Sequence, residues 1–125
     1  MKQIKIIYAI IIVAFLLLTG SIFAQDPVKV DPKHYKVEFE NDQVRVLRIN
    51  YGAGEKSVMH EHPNAVAVFL TDGQGQFTLP DGKTKTSDFK AGSAMFTPKG
   101  KHLPENTGEK SYELILVELK SQKKK

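Results

Sequence analysis

The sequence predicts an all-β fold, either a small β-barrel or a β-sandwich. Nine Gly and six Pro in 125 residues indicate frequent turns. The segments between these turns are short, and they are either rich in β-branched residues or alternate in polarity, as strands do. The chain beyond residue 24 shows no helical period. About eight such strands with regular turns fit one small domain.

The predicted strands follow one another closely along the chain. In order they are His34–Phe39, Val44–Tyr51, Ser57–His62, Ala65–Leu70, Gln76–Leu79, Thr84–Phe89, Ser93–Thr97 and Tyr112–Leu119. The apolar residues of the second strand change phase between Val46 and Leu47, which indicates a bulge or a strand covered on both faces. The fourth strand is almost wholly apolar and is predicted to be buried. Pro80-Asp81-Gly82 predicts a hairpin between the fifth and sixth strands.

The first 24 residues have the layout of a signal peptide. Lys2 and Lys5 precede an unbroken apolar run from Ile6 to Leu18, and the small residue Ala24 follows. This order predicts export to the periplasm or out of the cell, with cleavage after Ala24 and no membrane attachment afterwards. The alternative is an uncleaved N-terminal anchor, because Ile22 is bulky for the third position before a cleavage site.

The remaining chain is predicted to hold one folded domain. Residues 25–33 form a linker with two Pro, residues 34–119 the β-barrel domain, and residues 120–125 a basic tail. The tail is interpreted as a solvated chain end, and attraction to a membrane surface is the alternative.

Composition and charge exclude several classes of protein. The chain is 41% hydrophobic and 26% charged, which is typical of a globular rather than a disordered protein. It has no Cys, so disulfides, thiolate metal ligands and a cysteine nucleophile are excluded. The formal charge of +4 falls to +2 without residues 1–24, which hold two Lys and no acid. A nearly neutral domain is not expected to bind nucleic acid.

The chemistry of the sequence is concentrated in its histidines. His60 and His62 are separated by one residue, and on a strand such residues point to the same face. His102 follows the turn Pro98–Gly100, which can direct it toward a distant strand. Three converging imidazoles would hold a divalent transition metal such as Fe, Mn, Ni, Cu or Zn. The alternative is a pair of surface histidines. The fourth histidine, His34, is interpreted as a structural or surface residue.

Two segments around these histidines resemble the two motifs of the cupin superfamily. The first runs from Gly54 through His60-Glu61-His62 to Gly73, and the second from Gly92 through Pro98-Lys99-Gly100 and His102 to Asn106. The second has one residue, Lys101, where the family pattern has two. The resemblance implies a small cupin-type β-barrel (a double-stranded β-helix or jelly roll) with a metal inside it, and often a homodimer.

The first motif lacks its acid. The glutamate ligand of the family falls at position 66 or 67, and this chain has Val66 and Ala67 there. What remains resembles the three-histidine cupins, such as cysteine dioxygenase and diketone-cleaving dioxygenases, and implies His60, His62 and His102 as metal ligands. Three neutral imidazoles do not compensate a dication, so such a site favours an anionic ligand. Loss of the acid could instead leave a site that binds metal weakly or not at all.

Two acids and two uncharged residues are further candidates for the site. Glu61 and Glu105 lie close to the histidines in sequence, but strand alternation points Glu61 away, and Glu105 is out of phase with His102. Both acids are therefore expected at the solvated surface, with ligation as the alternative. Val66, Gln76 and Glu105 are candidate pocket residues.

The cupin fold hosts many activities, so the fold alone does not assign a function. One hypothesis is an exported metal-dependent enzyme, an oxygenase or a related lyase, that acts on a small molecule. The second is a non-catalytic module that binds a metal or a small ligand, and the third is a structural or interaction role. The expected partner is a small-molecule ligand or substrate, and the sequence assigns no catalytic residue.

Overall fold

Nine strands and one helical turn make up residues 25–121, which are the residues described by this computed structural model. The helical turn α1 spans Pro27–Val30. The strands are β1 (Tyr35–Glu40), β2 (Val44–Tyr51), β3 (His60–His62), β4 (Ala65–Phe69), β5 (Gly73–Thr78), β6 (Thr84–Phe89), β7 (Ala94–Thr97), β8 (Gly100–Asn106) and β9 (Tyr112–Leu119). The predicted signal peptide and the end of the predicted basic tail lie outside the described residues.

The strands form two antiparallel sheets, which confirms the all-β fold. The first sheet has five strands in the order β1-β2-β9-β4-β7, and the second has four in the order β3-β8-β5-β6. Their inner faces meet through aromatic rings: Phe69 of β4 stacks on Phe89 of β6 with ring centroids 4.4 Å apart. Phe89 also packs edge-on against Tyr112 of β9. The core therefore lies between the sheets.

Alternation along the central strands decides what faces this core. On β4 the buried residues are Ala65, Ala67 and Phe69, while the residues between them are only half-buried. On β9 the buried phase runs from Tyr112 to Glu118 at every second position. The two small alanines fill little of the space between the sheets, and a cavity remains there.

Two segments differ from the sequence prediction. Strand β8 was missed because Pro104 lies inside it and the turn at Pro98 precedes it, and proline weakens a strand pattern. The predicted linker 25–33 contains α1, in which Asp26 caps the turn by accepting from the Val28 backbone N–H and Pro27 occupies the first helical position. Four residues are too few to produce a helical period.

The phase change in β2 has a different origin from the predicted bulge. The β2–β9 register is regular, and the irregularity lies in β1, between Val37 and Phe39. In β2 itself, Leu47 is fully buried and Val46 is half-buried on the opposite face. Partial cover on both faces therefore explains the pattern.

Within the described part of the chain, no helix is long and apolar enough to cross a membrane.

Two motif glycines have physical reasons to be glycine. Gly92 turns the chain between β6 and β7 with a φ of 81°, in the left-handed region that side chains disfavour. Gly73 begins β5 directly against Tyr112, and a Cβ atom at Gly73 would lie 2.6 Å from the Cβ of Tyr112. Such a contact forces one of the two strands to move.

We expect Gly73→Ala to lower the free energy of unfolding by about 1–3 kcal/mol, because the added methyl group overpacks a rigid strand contact. Gly100→Ala is the matched control, since its nearest neighbouring atom would be 4.0 Å away and φ is not positive. Urea denaturation followed by circular dichroism measures both changes. Equal effects of the two substitutions would contradict the packing argument.

Candidate metal centre

Strand pairing brings the three motif histidines together. His60 and His62 lie on the same face of β3, and the antiparallel β3–β8 register places His102 directly opposite His60. Directly paired residues share a face, so all three rings point into the space between the sheets. One ring nitrogen of each histidine lies within 4.8 Å of the others, close enough for a single ion to contact all three.

Hydrogen bonds at the far side of two rings fix their tautomers. Nδ1 of His60 lies 2.8 Å from the Val58 carbonyl oxygen, to which it donates. Nδ1 of His62 donates to Glu118 Oε1 at 2.7 Å. A neutral imidazole carries one N–H, so each Nε2 is left with a lone pair.

These lone pairs face one another. The Nε2 atoms of His60 and His62 are 3.0 Å apart, although neither has a proton to donate in these tautomers. Nε2 of His102 is buried and has no hydrogen-bond partner among the described residues. Two acceptors and a third, unpartnered ring nitrogen directed at one small space fit a shared cation, and three imidazoles are typical of transition-metal sites.

Burial keeps the rings of His60 and His102 unprotonated near neutral pH. Burial, together with the neighbouring His62, lowers the pKa of His60 to about 4. Burial and the nearby rings of His62 and His60 lower the pKa of His102 to about 3. Because metal ligation requires neutral imidazole, both side chains are ready to bind without releasing a proton.

Glu118 is a buried acid beside the cluster that sequence reasoning missed. It is only 2% exposed at the end of β9, and its second carboxylate oxygen accepts from Arg45 Nε at 2.6 Å. The guanidinium of Arg45 in turn donates to Asp26 at 2.9 and 3.1 Å. Burial by itself raises the pKa of Glu118, but the hydrogen bonds from His62 and Arg45 outweigh it and hold the pKa below its ordinary value.

The sequence did contain one signal for Glu118. The alternation of β9 places an acid in line with Tyr112, Leu114 and Leu116, at a position where an apolar residue is expected. An acid in a buried phase needs a partner, and the nearby partners here are His62 and Arg45.

A second hydrogen-bonded chain approaches His60 from the other side. Ser57 Oγ donates to Asp31 at 2.6 Å and lies 3.4 Å from His60 Nδ1. The buried His34 joins Asp31 to Glu55 through its two ring nitrogens, at 2.7 and 2.8 Å. His34 thus occupies a buried structural position outside the metal-ligand cluster.

A cavity of about 450 Å³ opens beside the cluster. Its walls are largely aromatic and aliphatic, and His62 and His102 reach its surface, whereas His60 is completely buried behind them. The cavity is lined by neither Asp nor Glu among the residues that the structure describes.

The three candidate pocket residues from the sequence do not line this cavity. Val66 lies on the outer phase of β4, and its neighbour Ala67 lines the cavity instead. Gln76 and Glu105 are cross-strand partners on β5 and β8, out of phase with the inward Phe77 and Pro104. The reason in each case is strand alternation, which a one-residue uncertainty in phase reverses.

The two acids considered as substitute ligands are also outside the cluster. Glu61 pairs with Lys101 on the face opposite to the histidines, and its carboxylate lies 3.7 Å from Lys99 Nζ. The histidine cluster of the described chain therefore contains no carboxylate ligand.

Solved structures share this fold. A cupin domain from Bordetella pertussis Tohama I is 25% identical with a TM-score of 0.65, over 70% of this chain and 92% of that chain. An RmlC-like cupin family protein with a double-stranded β-helix fold from Methanocaldococcus jannaschii is 22% identical with a TM-score of 0.55, over 71% of this chain and 83% of that chain. A protein from Bacillus halodurans is 17% identical with a TM-score of 0.57, over 85% and 87%.

Sequence comparison identifies the family. No protein of curated function matches the chain. The cupin domain profile, however, matches residues 47–118, a span that contains the three clustered histidines and Glu118. This match covers more than half of the chain, and the chain therefore belongs to the cupin domain family.

Proposed function

We propose that the protein binds one divalent transition metal ion through His60, His62 and His102 and presents it to a small molecule in the adjoining cavity. The observation that carries this proposal is the close approach of the Nε2 lone pairs of His60 and His62 beside the unpartnered Nε2 of His102. When bound, such an ion supplies Lewis-acid or redox chemistry.

The surrounding residues prepare the site for an ion with an open side. Glu118 fixes the tautomer of His62 and places a negative charge behind the ring, which makes the imidazole a stronger ligand. Ala67, a small residue on β4 of the opposite sheet, leaves the cavity side uncovered. The apolar walls exclude water from a ligand that enters there.

A non-catalytic binding module is the second candidate, and the cavity lining favours it. The ionisable side chains at its surface, apart from the histidines, are tyrosines and lysines. Burial raises the pKa values of Tyr35, Tyr51 and Tyr112, so these groups are poor bases near neutral pH. An enzymatic role therefore requires a reaction in which the ligand itself, or water, carries the proton.

The proposal is tested by metal titration. Purified protein freed of metal by chelation should bind about one equivalent of Zn²⁺ or Ni²⁺, and His102→Ala should weaken binding at least about tenfold because it removes a ligand. Glu61→Gln, next to two of the ligands but pointing away from them, should bind as the wild type does. Isothermal titration calorimetry with elemental analysis measures both. Unchanged affinity in His102→Ala with an intact fold would overturn the proposal.

Glu118→Gln should weaken metal affinity about 10- to 100-fold while leaving the stoichiometry at one, because the amide keeps the shape but loses the charge behind His62. Glu113→Gln is the matched control on the same strand, where the carboxylate pairs with Arg48 instead. Competition with a chelating dye gives both affinities. A ratio near one between the two variants would show that Glu118 does not act on the metal.

Metal-free protein should lose stability as the pH falls below about 6.5. The unfolded chain takes up protons on its histidines near that pH, whereas folded His60 and His102 resist protonation until about pH 4 and 3. The unfolded state then binds more protons, so the free energy of unfolding decreases as the pH falls from 6.5 to 5, a range in which unfolded carboxylates, with pKa values of about 4, take up few protons.

The variant His102→Gln separates this effect from general acid sensitivity. Its free energy of unfolding should depend less steeply on pH between 6.5 and 5, since one resisting histidine is gone. Urea denaturation at pH 7, 6 and 5 with a chelator present gives both slopes. Equal slopes in the two proteins would contradict the assignment to His102.

A further inference from the structure

The cavity beside the histidines is lined by positively charged side chains and by no negatively charged ones among the described residues. Its lining includes Lys85, Lys99 and Lys101, and no carboxylate among residues 25–121 lies on it. The lining is therefore cationic even before any metal binds.

Strand phase separates the three lysines. Lys101 alternates away from His102 on β8, and Lys99 Nζ is 3.7 Å from Glu61 on that outer side. Lys85, in contrast, is in phase with the buried Phe89 on β6 and lies opposite Phe77 in the β5–β6 register. Of the three, Lys85 is the one on the inner phase of its strand.

Lys85 also has no carboxylate within ion-pair distance among the described residues. An unpaired lysine is ordinary on an outer surface, where water solvates it. Lys85 is itself exposed, but it lies on the inner phase of β6, in line with the cavity-lining residues Ser87 and Phe89. A cation at the open end of an apolar cavity is well placed to meet an anion that enters with an apolar body.

Phe77 links the position of Lys85 to the histidines. Phe77 is the cross-strand partner of Lys85, and its ring is 5.3 Å from the ring of His102, measured between centroids. A small molecule lying over Phe77 is therefore close to both residues.

We propose that Lys85 is the anion-binding residue of the cavity and that the natural ligand is a small organic acid. Its carboxylate meets the Lys85 ammonium group, its apolar body lies over Phe77 and Phe89, and its far end reaches the histidines. This inference deepens the proposed function and rests on it only for the far end, because the carboxylate subsite needs no metal.

The test compares acids with their uncharged amides. Benzoate, 3-phenylpropanoate and octanoate, each beside its amide, are titrated into metal-free and zinc-loaded protein, with binding followed by protein NMR. At least one acid should bind about five- to tenfold more tightly than its amide in metal-free protein, and the difference should shrink as salt is added. If no acid binds more tightly than its amide, the proposal is overturned.

Two lysine variants locate the effect. Lys85→Met should abolish the preference for the acid and leave amide binding unchanged, whereas Lys83→Met, in the exposed hairpin beside Asp81, should behave as the wild type does. Lys85→Arg should restore the preference. If Lys85→Met retains it, another residue holds the anion and the proposal is wrong.

The metal-free and zinc-loaded arms keep the two proposals apart. If the protein does not bind zinc but still binds acids more tightly than amides, and this preference requires Lys85, the carboxylate subsite is supported and the metal centre is rejected. A preference that appears only with zinc and ignores Lys85 supports the metal centre and overturns the subsite.

Discussion

The contact on which the site depends is the hydrogen bond between Nδ1 of His62 and the buried carboxylate of Glu118. It fixes the tautomer and orientation of His62, and the Val58 carbonyl does the same for His60. Strand pairing then brings the two Nε2 atoms to 3.0 Å, with no proton between them in these tautomers. Two lone pairs at this distance repel, so the fold holds an arrangement that a shared cation relieves.

The negative charge of this site lies behind the ring of His62 and not within the histidine cluster. Glu118 belongs to a hydrogen-bonded chain that continues through the half-buried Arg45 to Asp26 at the start of α1. A residue before the first strand thereby supports a histidine on β3. Because the acid lies behind His62, the cavity side of the cluster is lined by Ala67 and apolar side chains. The described residues place no negative charge on that side. An anion is the natural partner for such a face.

The sequence predicted what depends on local spacing. Alternation placed His60 and His62 on one face, and the motif spacing pointed to His102, because these relations need only the strand period and a turn. Glu118 could not be predicted in this way, since 56 residues separate it from His62 and only the packing of β9 across from β3 joins them. The position of the absent acid was uncertain by one residue, and that residue decides between Val66 on the outer face and Ala67 in the cavity.

The division of polarity along the cavity also limits the chemistry that it can host. The histidine end offers acceptors, the walls offer aromatic surface, and the open end offers a lysine, but the described lining includes no carboxylate to remove a proton. The buried tyrosines hold their protons more firmly than usual, because burial raises their pKa values. A reaction that begins with proton abstraction by the protein is therefore disfavoured here. A ligand that is an acid and enters already ionised does not need this proton-abstraction step. Its negative charge is also the charge that a cationic cavity lining attracts.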